Sequence, residues 1–143
     1  YDVPMREILV DNMAMQMVMN PAQFDVVVTE NLYGDILSDL GAGLIGGLGM
    51  IPGVNKGKDM AIYESVHGSA PDIAGKGLAN PTAMLLSACL LLDDIGEREK
   101  ADTIRRAIDK VLSDPETRTH DLGGTLTTKE YTEALLEKVG GLC

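Results

Sequence analysis

The sequence predicts an α/β protein, and two observations support this prediction. Short β-branched or apolar runs of strand length alternate with longer segments in which apolar residues recur every three or four positions. Glycine-rich stretches separate several of these segments, as in proteins built from layers of helices and strands. A chain of 143 residues with 45% hydrophobic and 24% charged residues is sufficient for one sizeable core.

The first half of the chain contains two predicted helices and two predicted strands. Residues 12–19 predict a short Met-rich helix that ends before a proline. The run FDVVVT, residues 24–29, predicts a strand because β-branched residues favour extended backbone. A helix is predicted over residues 35–44, and residues 61–63 predict a short strand.

The second half predicts three helices and two loops. In chain order these are a glycine-rich loop (67–79), a helix that begins at Asn80-Pro81 and ends at Gly96, a helix over 101–112, a turn-rich loop (121–125) and a last helix with a capping box of Thr127 and Glu130. No G-x-G-x-x-G motif joins a strand to a helix, which argues against a standard Rossmann fold.

The charge balance excludes several classes of partner. A net charge of −10 argues against nucleic acid and anionic membrane surfaces. No stretch approaches the roughly 18 uninterrupted apolar residues that indicate a membrane-spanning helix.

The two cysteines, Cys89 and Cys143, form no disulfide framework, and Cys89 is expected to be a small buried side chain. We therefore expect a reducing compartment, the cytoplasm or, in a eukaryote, the mitochondrial matrix.

Three aspartates are candidate metal ligands. Asp35 and Asp39 are four residues apart, so a helix would bring them to one face, where they repel each other unless a cation lies between them. Mg²⁺ and Mn²⁺ prefer such oxygen ligands. Alternatively, Asp35 interacts with the dipole near a helix start and Asp39 is a solvated surface acid. Asp11 opens a helix, where its alternative role is an N-cap.

Two glycine-rich stretches are candidate ligand-binding segments. In the loop 67–79, small residues expose backbone N–H groups to phosphate, His67 can stack on a base, and Asp72 can accept hydrogen bonds from ribose hydroxyls. The alternative is a structural turn. Residues 41–53 hold too many glycines for an ordinary helix, so the backbone either turns closely past a neighbour or passes a ligand.

Five motifs together resemble the β-decarboxylating dehydrogenases, the family of isocitrate, 3-isopropylmalate and homoisocitrate dehydrogenases. They stand in the family's order: D11-N-x-A-M-Q, N20-P-A-Q-F-D-V-V-V-T, N31-L-Y-G-D-I-L-S-D, H67-G-S-A-P-D-I-A-G-K-G-x-A-N-P and D121-L-G-G-T. The resemblance covers nearly the whole chain and implies the C-terminal portion of that fold.

The resemblance implies a shared metal site. Asp35 and Asp39 match two family ligands of Mg²⁺ or Mn²⁺, and Asp11 matches the third, which reaches in from the other subunit of a homodimer. About residues 1–50 then correspond to a dimer-interface and metal-binding segment. About residues 51–143 correspond to a dinucleotide-binding segment.

The resemblance also implies a cofactor. The residues it places around the dinucleotide are Glu64, near the nicotinamide, and His67, Gly68, Ser69, Ala70, Asp72 and Asn80, around the adenosine. Asp72 stands where NADP-specific members carry Lys, Ile73 where they carry Tyr, and His120 where many carry another Tyr. These departures favour NAD, and the negative charge of Asp72, which would repel a 2′-phosphate, independently favours it as well.

The implied reaction is the oxidation of a small-molecule 2-hydroxy acid by hydride transfer to NAD, followed by loss of CO₂. Isocitrate is favoured over 3-isopropylmalate and homoisocitrate. The family's catalytic Tyr and Lys belong to segments before Tyr1, so we expect a fragment or one piece of a split enzyme, inactive by itself. The alternatives are a non-catalytic regulatory subunit of an NAD-dependent isocitrate dehydrogenase and a stand-alone nucleotide-binding module.

Overall fold

The computed structural model describes residues 3–142, and the predictions that extend to residues 1, 2 and 143 lie outside it at those positions. The chain divides into two compact units, Tyr1–Ile45 and Gly46–Cys143. Each unit is treated by itself below. The roles predicted for residues 1–50 and 51–143 remain predictions, because the division concerns contacts and not binding.

The first unit consists of two packed helices. Helix α1 spans Val10–Met19 and helix α2 spans Asn31–Leu44, with a short 3₁₀ turn at Pro21–Gln23. Both helices confirm the sequence prediction, although each begins earlier than predicted. The buried residues of the two helices are few, namely Met13, Leu37 and Ala42. Most of the apolar surface of this unit is therefore exposed.

The predicted strand over residues 24–29 is wrong for this chain. The segment is extended at Phe24, but no strand pairs with it among residues 3–142. Val26 and Val28 are 80% and 90% exposed. A β-strand needs a neighbour to receive its backbone hydrogen bonds, and β-branched composition alone does not supply one.

The second unit begins with a hairpin that packs on a helix. Strands β1 (Pro52–Lys56) and β2 (Ala61–Ser65) pair antiparallel, with Val54 opposite Tyr63. Strand β2 confirms its prediction, whereas β1 was missed because its sequence, PGVNK, carries proline and glycine. Both strands contact helix α3, Thr82–Asp94.

Helices α3, α4 (Arg98–Ser113) and α5 (Thr128–Gly140) build the core of the second unit. Its centre is formed by the buried residues Ala107, Ile108, Val111, Tyr131 and Leu135. Cys89 is fully buried against α4, and its thiol donates to the Ala101 carbonyl oxygen, as a small buried side chain would. The three helices and the hairpin that packs on α3 confirm the α/β class.

Local signals fix where these helices begin and end. The Thr127 hydroxyl accepts from the Glu130 N–H, and the Glu130 carboxylate accepts from the Thr127 N–H, which confirms the predicted capping box. Gly96 takes a φ of +87°, which a glycine adopts without strain after the end of α3.

Among residues 3–142, no helix is long and apolar enough to cross a bilayer.

Candidate metal and nucleotide site

Asp35 and Asp39 lie one turn apart on α2, as predicted. Both side chains are exposed. Because α2 begins at Asn31 and carries no acid in its first turn, Asp35 lies too far along the helix for the dipole interaction considered above. The ion pairs among residues 3–142 all involve other carboxylates, so no basic side chain neutralises this pair there.

Asp11 does not cap α1. The N-cap position is Leu9, and Asp11 lies in the first turn, where its Oδ1 accepts from the Asn12 N–H at 2.7 Å. The N-cap alternative is therefore wrong, and an exposed carboxylate remains. Within residues 3–142, no group of three or more His, Cys, Asp or Glu side chains lies together as a complete metal site. The structure does not bring Asp11 to the other two aspartates in one copy of the chain.

The glycine-rich loop, residues 67–79, forms an open series of turns. All of its residues except Leu78 are exposed. Ala70 adopts a φ of +42°, which is unusual for a residue with a Cβ. Gly75 and Gly77 also have positive φ, so their conformation requires glycine.

Gly68 differs from the other two glycines of the loop. Its φ is not positive, and a Cβ placed there would meet no atom within 4 Å. Nothing in the fold of the described chain therefore requires glycine at this position. The His67 ring lies beside it, with Nδ1 2.9 Å from the Gly68 carbonyl oxygen. When Nδ1 donates in the neutral ring, Nε2 is left as an acceptor.

Glu64 presents its carboxylate on the exposed side of the hairpin. Its Oε1 accepts from the Asn55 Nδ2 on the neighbouring strand at 3.0 Å. The backbone at Glu64 is held from the other side, because the Ser87 hydroxyl donates to the Glu64 carbonyl oxygen at 2.7 Å. Sequence reasoning missed Asn55, since an asparagine in a strand-like segment gave no signal until the pairing was known.

Asn80 is buried, and its side chain is engaged within the protein. Its Oδ1 accepts from the Thr82 N–H at 3.0 Å, and its Nδ2 donates to Asp121 Oδ2 at 3.0 Å. Asn80 therefore accepts from a free N–H at the start of α3, but the helix begins at Thr82 and its N-cap position is Pro81, one residue later than predicted. Asn80 can offer its backbone, but not a free carboxamide, to a nucleotide in this conformation.

Residues 41–53 are rich in glycine, and the structure favours close packing against a neighbour over contact with a ligand as the reason. Helix α2 ends at Leu44, and Gly46 and Gly47 have φ values of +114° and +100°. A Cβ at Gly49 would lie 3.0 Å from Asp121 Oδ2 and 3.1 Å from the Asn80 Cβ. Glycine at this position therefore permits the approach of the Asn80–Asp121 pair.

Charged pairs fasten the hairpin and helices of the second unit. Lys56 and Tyr63 both hydrogen-bond to Asp94, and the Lys56 contact holds the pKa of that carboxyl below its usual range, with the Tyr63 contact adding to the effect. Arg105 hydrogen-bonds to Asp93 and lowers its pKa as well. These pairs attach β1, β2 and α4 to the end of α3.

Near α5, His120 is exposed. The pKa of Glu130 is lowered chiefly because the Thr127 backbone N–H donates to its carboxylate. The preference for NAD that was inferred from His120 and Ile73 stays a prediction, because no structural finding tests it.

Comparison with known proteins places the chain in a family. The family described as isocitrate/isopropylmalate dehydrogenase matches residues 1–135. The chain is 57% identical over 140 residues to the isocitrate/homoisocitrate dehydrogenase of Thermus thermophilus, covering 98% of this chain and 42% of that protein. It is 52% identical over 137 residues to the NAD isocitrate dehydrogenase catalytic subunit 5 of Arabidopsis thaliana, covering 95% and 37%.

A solved structure agrees with these relatives. The isocitrate dehydrogenase of Methylococcus capsulatus superimposes with a TM-score of 0.85 at 53% sequence identity, over 91% of this chain and 39% of that one. The chain belongs to the isocitrate/isopropylmalate dehydrogenase family and has its fold. It spans about two fifths of the length of the curated relatives that it matches.

Proposed function

We propose that this chain supplies the metal-binding and NAD-binding groups of an enzyme that oxidatively decarboxylates a 2-hydroxy acid, with isocitrate as the favoured substrate. The observation that supports the proposal most is the pair Asp35 and Asp39, which lies exposed and without a neutralising basic side chain in the described chain. Family membership supplies the class of reaction to which such a pair contributes.

The donor set fits a hard divalent cation. Asp35 and Asp39 offer only carboxylate oxygens, which suit Mg²⁺ or Mn²⁺ and not a soft metal. Two carboxylates on one helical face leave room for further ligands from substrate, from water and, as we propose, from Asp11 of a second copy in a homodimer. The bound cation would supply the positive charge that polarises the C2 hydroxyl of the substrate.

The loop fits the adenosine part of NAD. The exposed Asp72 carboxylate can accept hydrogen bonds from both hydroxyls of an unmodified ribose, and its charge repels the 2′-phosphate of NADP. Gly68 leaves space that no other part of the described chain fills. His67 offers a ring face and Nε2 to a base beside that space. When bound, the nicotinamide accepts the hydride.

A chimera provides the test of this function. We would replace the matching segment of the Thermus thermophilus enzyme by this chain, purify the product and measure NADH formation with Mn²⁺ and NAD. Isocitrate, homoisocitrate and 3-isopropylmalate would be offered separately, with the purified 143-residue chain as a parallel sample. We expect turnover of isocitrate by the chimera and none by the chain alone.

Two outcomes would contradict the proposal. A folded chimera with no turnover of any of the three acids would remove the proposed activity. Turnover by the chain alone would show that the essential groups do not lie before Tyr1. Homoisocitrate is the second candidate substrate, because the Thermus thermophilus relative is named for both acids.

A further inference from the structure

The glycine-rich loop, residues 67–79, has few hydrogen bonds of its own. Within it, the Ile73 N–H donates to the Ala70 carbonyl oxygen at 3.0 Å and the Lys76 N–H to the Ile73 carbonyl oxygen at 3.1 Å. Two such turns do not determine the path of thirteen residues, all of them exposed except Leu78. The conformation of the loop therefore depends on contacts with the rest of the second unit.

One residue outside the loop supplies those contacts. The Thr128 N–H donates to the Gly77 carbonyl oxygen at 2.7 Å, and the Thr128 hydroxyl donates to the Ala79 carbonyl oxygen at 2.5 Å. Among residues 3–142, these two bonds are the ones that join the loop to other parts of the chain. Thr128 is the first residue of α5, and the capping box beside it holds that end of the helix in place.

A second contact secures the residue that follows the loop. The buried Asn80 is held by Asp121, and the other carboxylate oxygen of Asp121 accepts from the buried Thr119 hydroxyl at 2.5 Å. The segment 119–128 thus hydrogen-bonds to the carboxyl end of the loop at Gly77 and Ala79, and to Asn80, which follows the loop. We call this segment the clamp.

We infer that Thr128 is a positioning residue for the dinucleotide, acting through the loop rather than by touching the ligand. The inference rests on the proposed function, in which the same loop receives the adenosine of NAD. Loss of the Thr128 hydroxyl would leave Ala79 without its partner and widen the range of loop conformations. NAD binding would then have to order the loop and lose its conformational entropy. With the clamp intact, the loop is already ordered before NAD binds, so this loss is smaller.

Calorimetry and hydrogen exchange on the purified chain and on the chimera test this inference. Thr128→Val keeps the shape of the side chain and removes the hydroxyl. We expect NAD to bind about fivefold to tenfold more weakly, the loss that one hydrogen bond corresponds to. We also expect faster exchange of the amides in residues 67–79 without ligand. Thr128→Ser should restore both values.

The matched control is Thr132→Val. The Thr132 hydroxyl makes the same kind of bond, donating at 2.7 Å to the Thr128 carbonyl oxygen within α5, and makes no hydrogen bond to residues 67–79 of the described chain. Equal NAD affinity in wild type and Thr128→Val, or equal weakening by Thr132→Val, would overturn the inference while leaving the proposed function intact. If neither wild-type protein binds NAD, the proposed function fails and the inference fails with it.

Discussion

Replacing Tyr131 by Phe tests whether the junction of α3 and α5 depends on one buried hydrogen bond. The Tyr131 and Thr82 hydroxyls lie 2.7 Å apart, and both side chains are 0% exposed. The substitution leaves the Thr82 hydroxyl buried without that partner, which costs about 1–3 kcal/mol. Thr82→Val combined with Tyr131→Phe removes both groups, so its cost should fall below the sum of the single changes by about 1 kcal/mol.

Urea unfolding followed by circular dichroism measures these differences, provided that the slope of the transition stays constant. Tyr33→Phe is the matched control, because Tyr33 is 42% exposed and its hydroxyl has no partner among residues 3–142. That change should alter the free energy of unfolding by less than about 0.5 kcal/mol. The reasoning is refuted if Tyr131→Phe costs no more than the control, or if the two buried changes add without coupling.

Four further predictions concern the proposed site and the charged pairs. Asp72→Lys in the chimera should shift preference from NAD towards NADP, as measured by the ratio of kcat/KM for the two cofactors, because it replaces a repelling charge by an attracting one. Asp35→Asn should raise the Mn²⁺ concentration for half-maximal activity by about tenfold or more while the urea midpoint changes little. Gly68→Ala should weaken NAD binding without loss of stability, since its Cβ would meet only open space. Lys56 keeps the folded pKa of Asp94 below the unfolded value of about 4, so the stabilisation is present above that value and is lost as the pH falls through the folded pKa. Acidification should therefore lower the urea midpoint less in Asp94→Asn than in wild type.

Each of these predictions has a contradicting result. Unchanged cofactor preference removes the assigned role of Asp72. Equal loss of folding and Mn²⁺ dependence in the Asp35 variant favours a structural role. A destabilised Gly68 variant shows that the fold itself needs glycine, and identical acid sensitivity of the Asp94 variant removes its pair with Lys56 as a source of pH dependence.

The sequence predicted those elements whose signals are local. Helix α5 was located by its capping box, and α3 by Asn80 and Gly96, because caps act within a few residues of the helix end. Strand pairing is not local. The FDVVVT run has strand composition but no partner among residues 3–142, whereas PGVNK has poor composition and is paired because β2 returns beside it.

In the candidate site, too, local features were predicted from the sequence and contacts between distant segments were not. The spacing of Asp35 and Asp39 placed them on one face of a helix, and the structure agrees. The contacts of Thr128 with the loop join positions about fifty residues apart in sequence, and no pattern in either segment indicates them. The roles of the aspartates in metal binding come from the family resemblance and remain to be measured.

The two attachments of the hairpin to α3 bear on which part of the proposed nucleotide site can adapt to a ligand. Ser87 fixes the backbone at Glu64, and Asp94, about two turns further along the helix, holds Lys56 and Tyr63. Because the hairpin is attached to α3 at two points, we expect Glu64 to adjust to a ligand mainly by rotation about its side-chain bonds. Induced fit around a dinucleotide would then fall to the glycine-rich loop, whose outward hydrogen bonds in the described chain both come from Thr128.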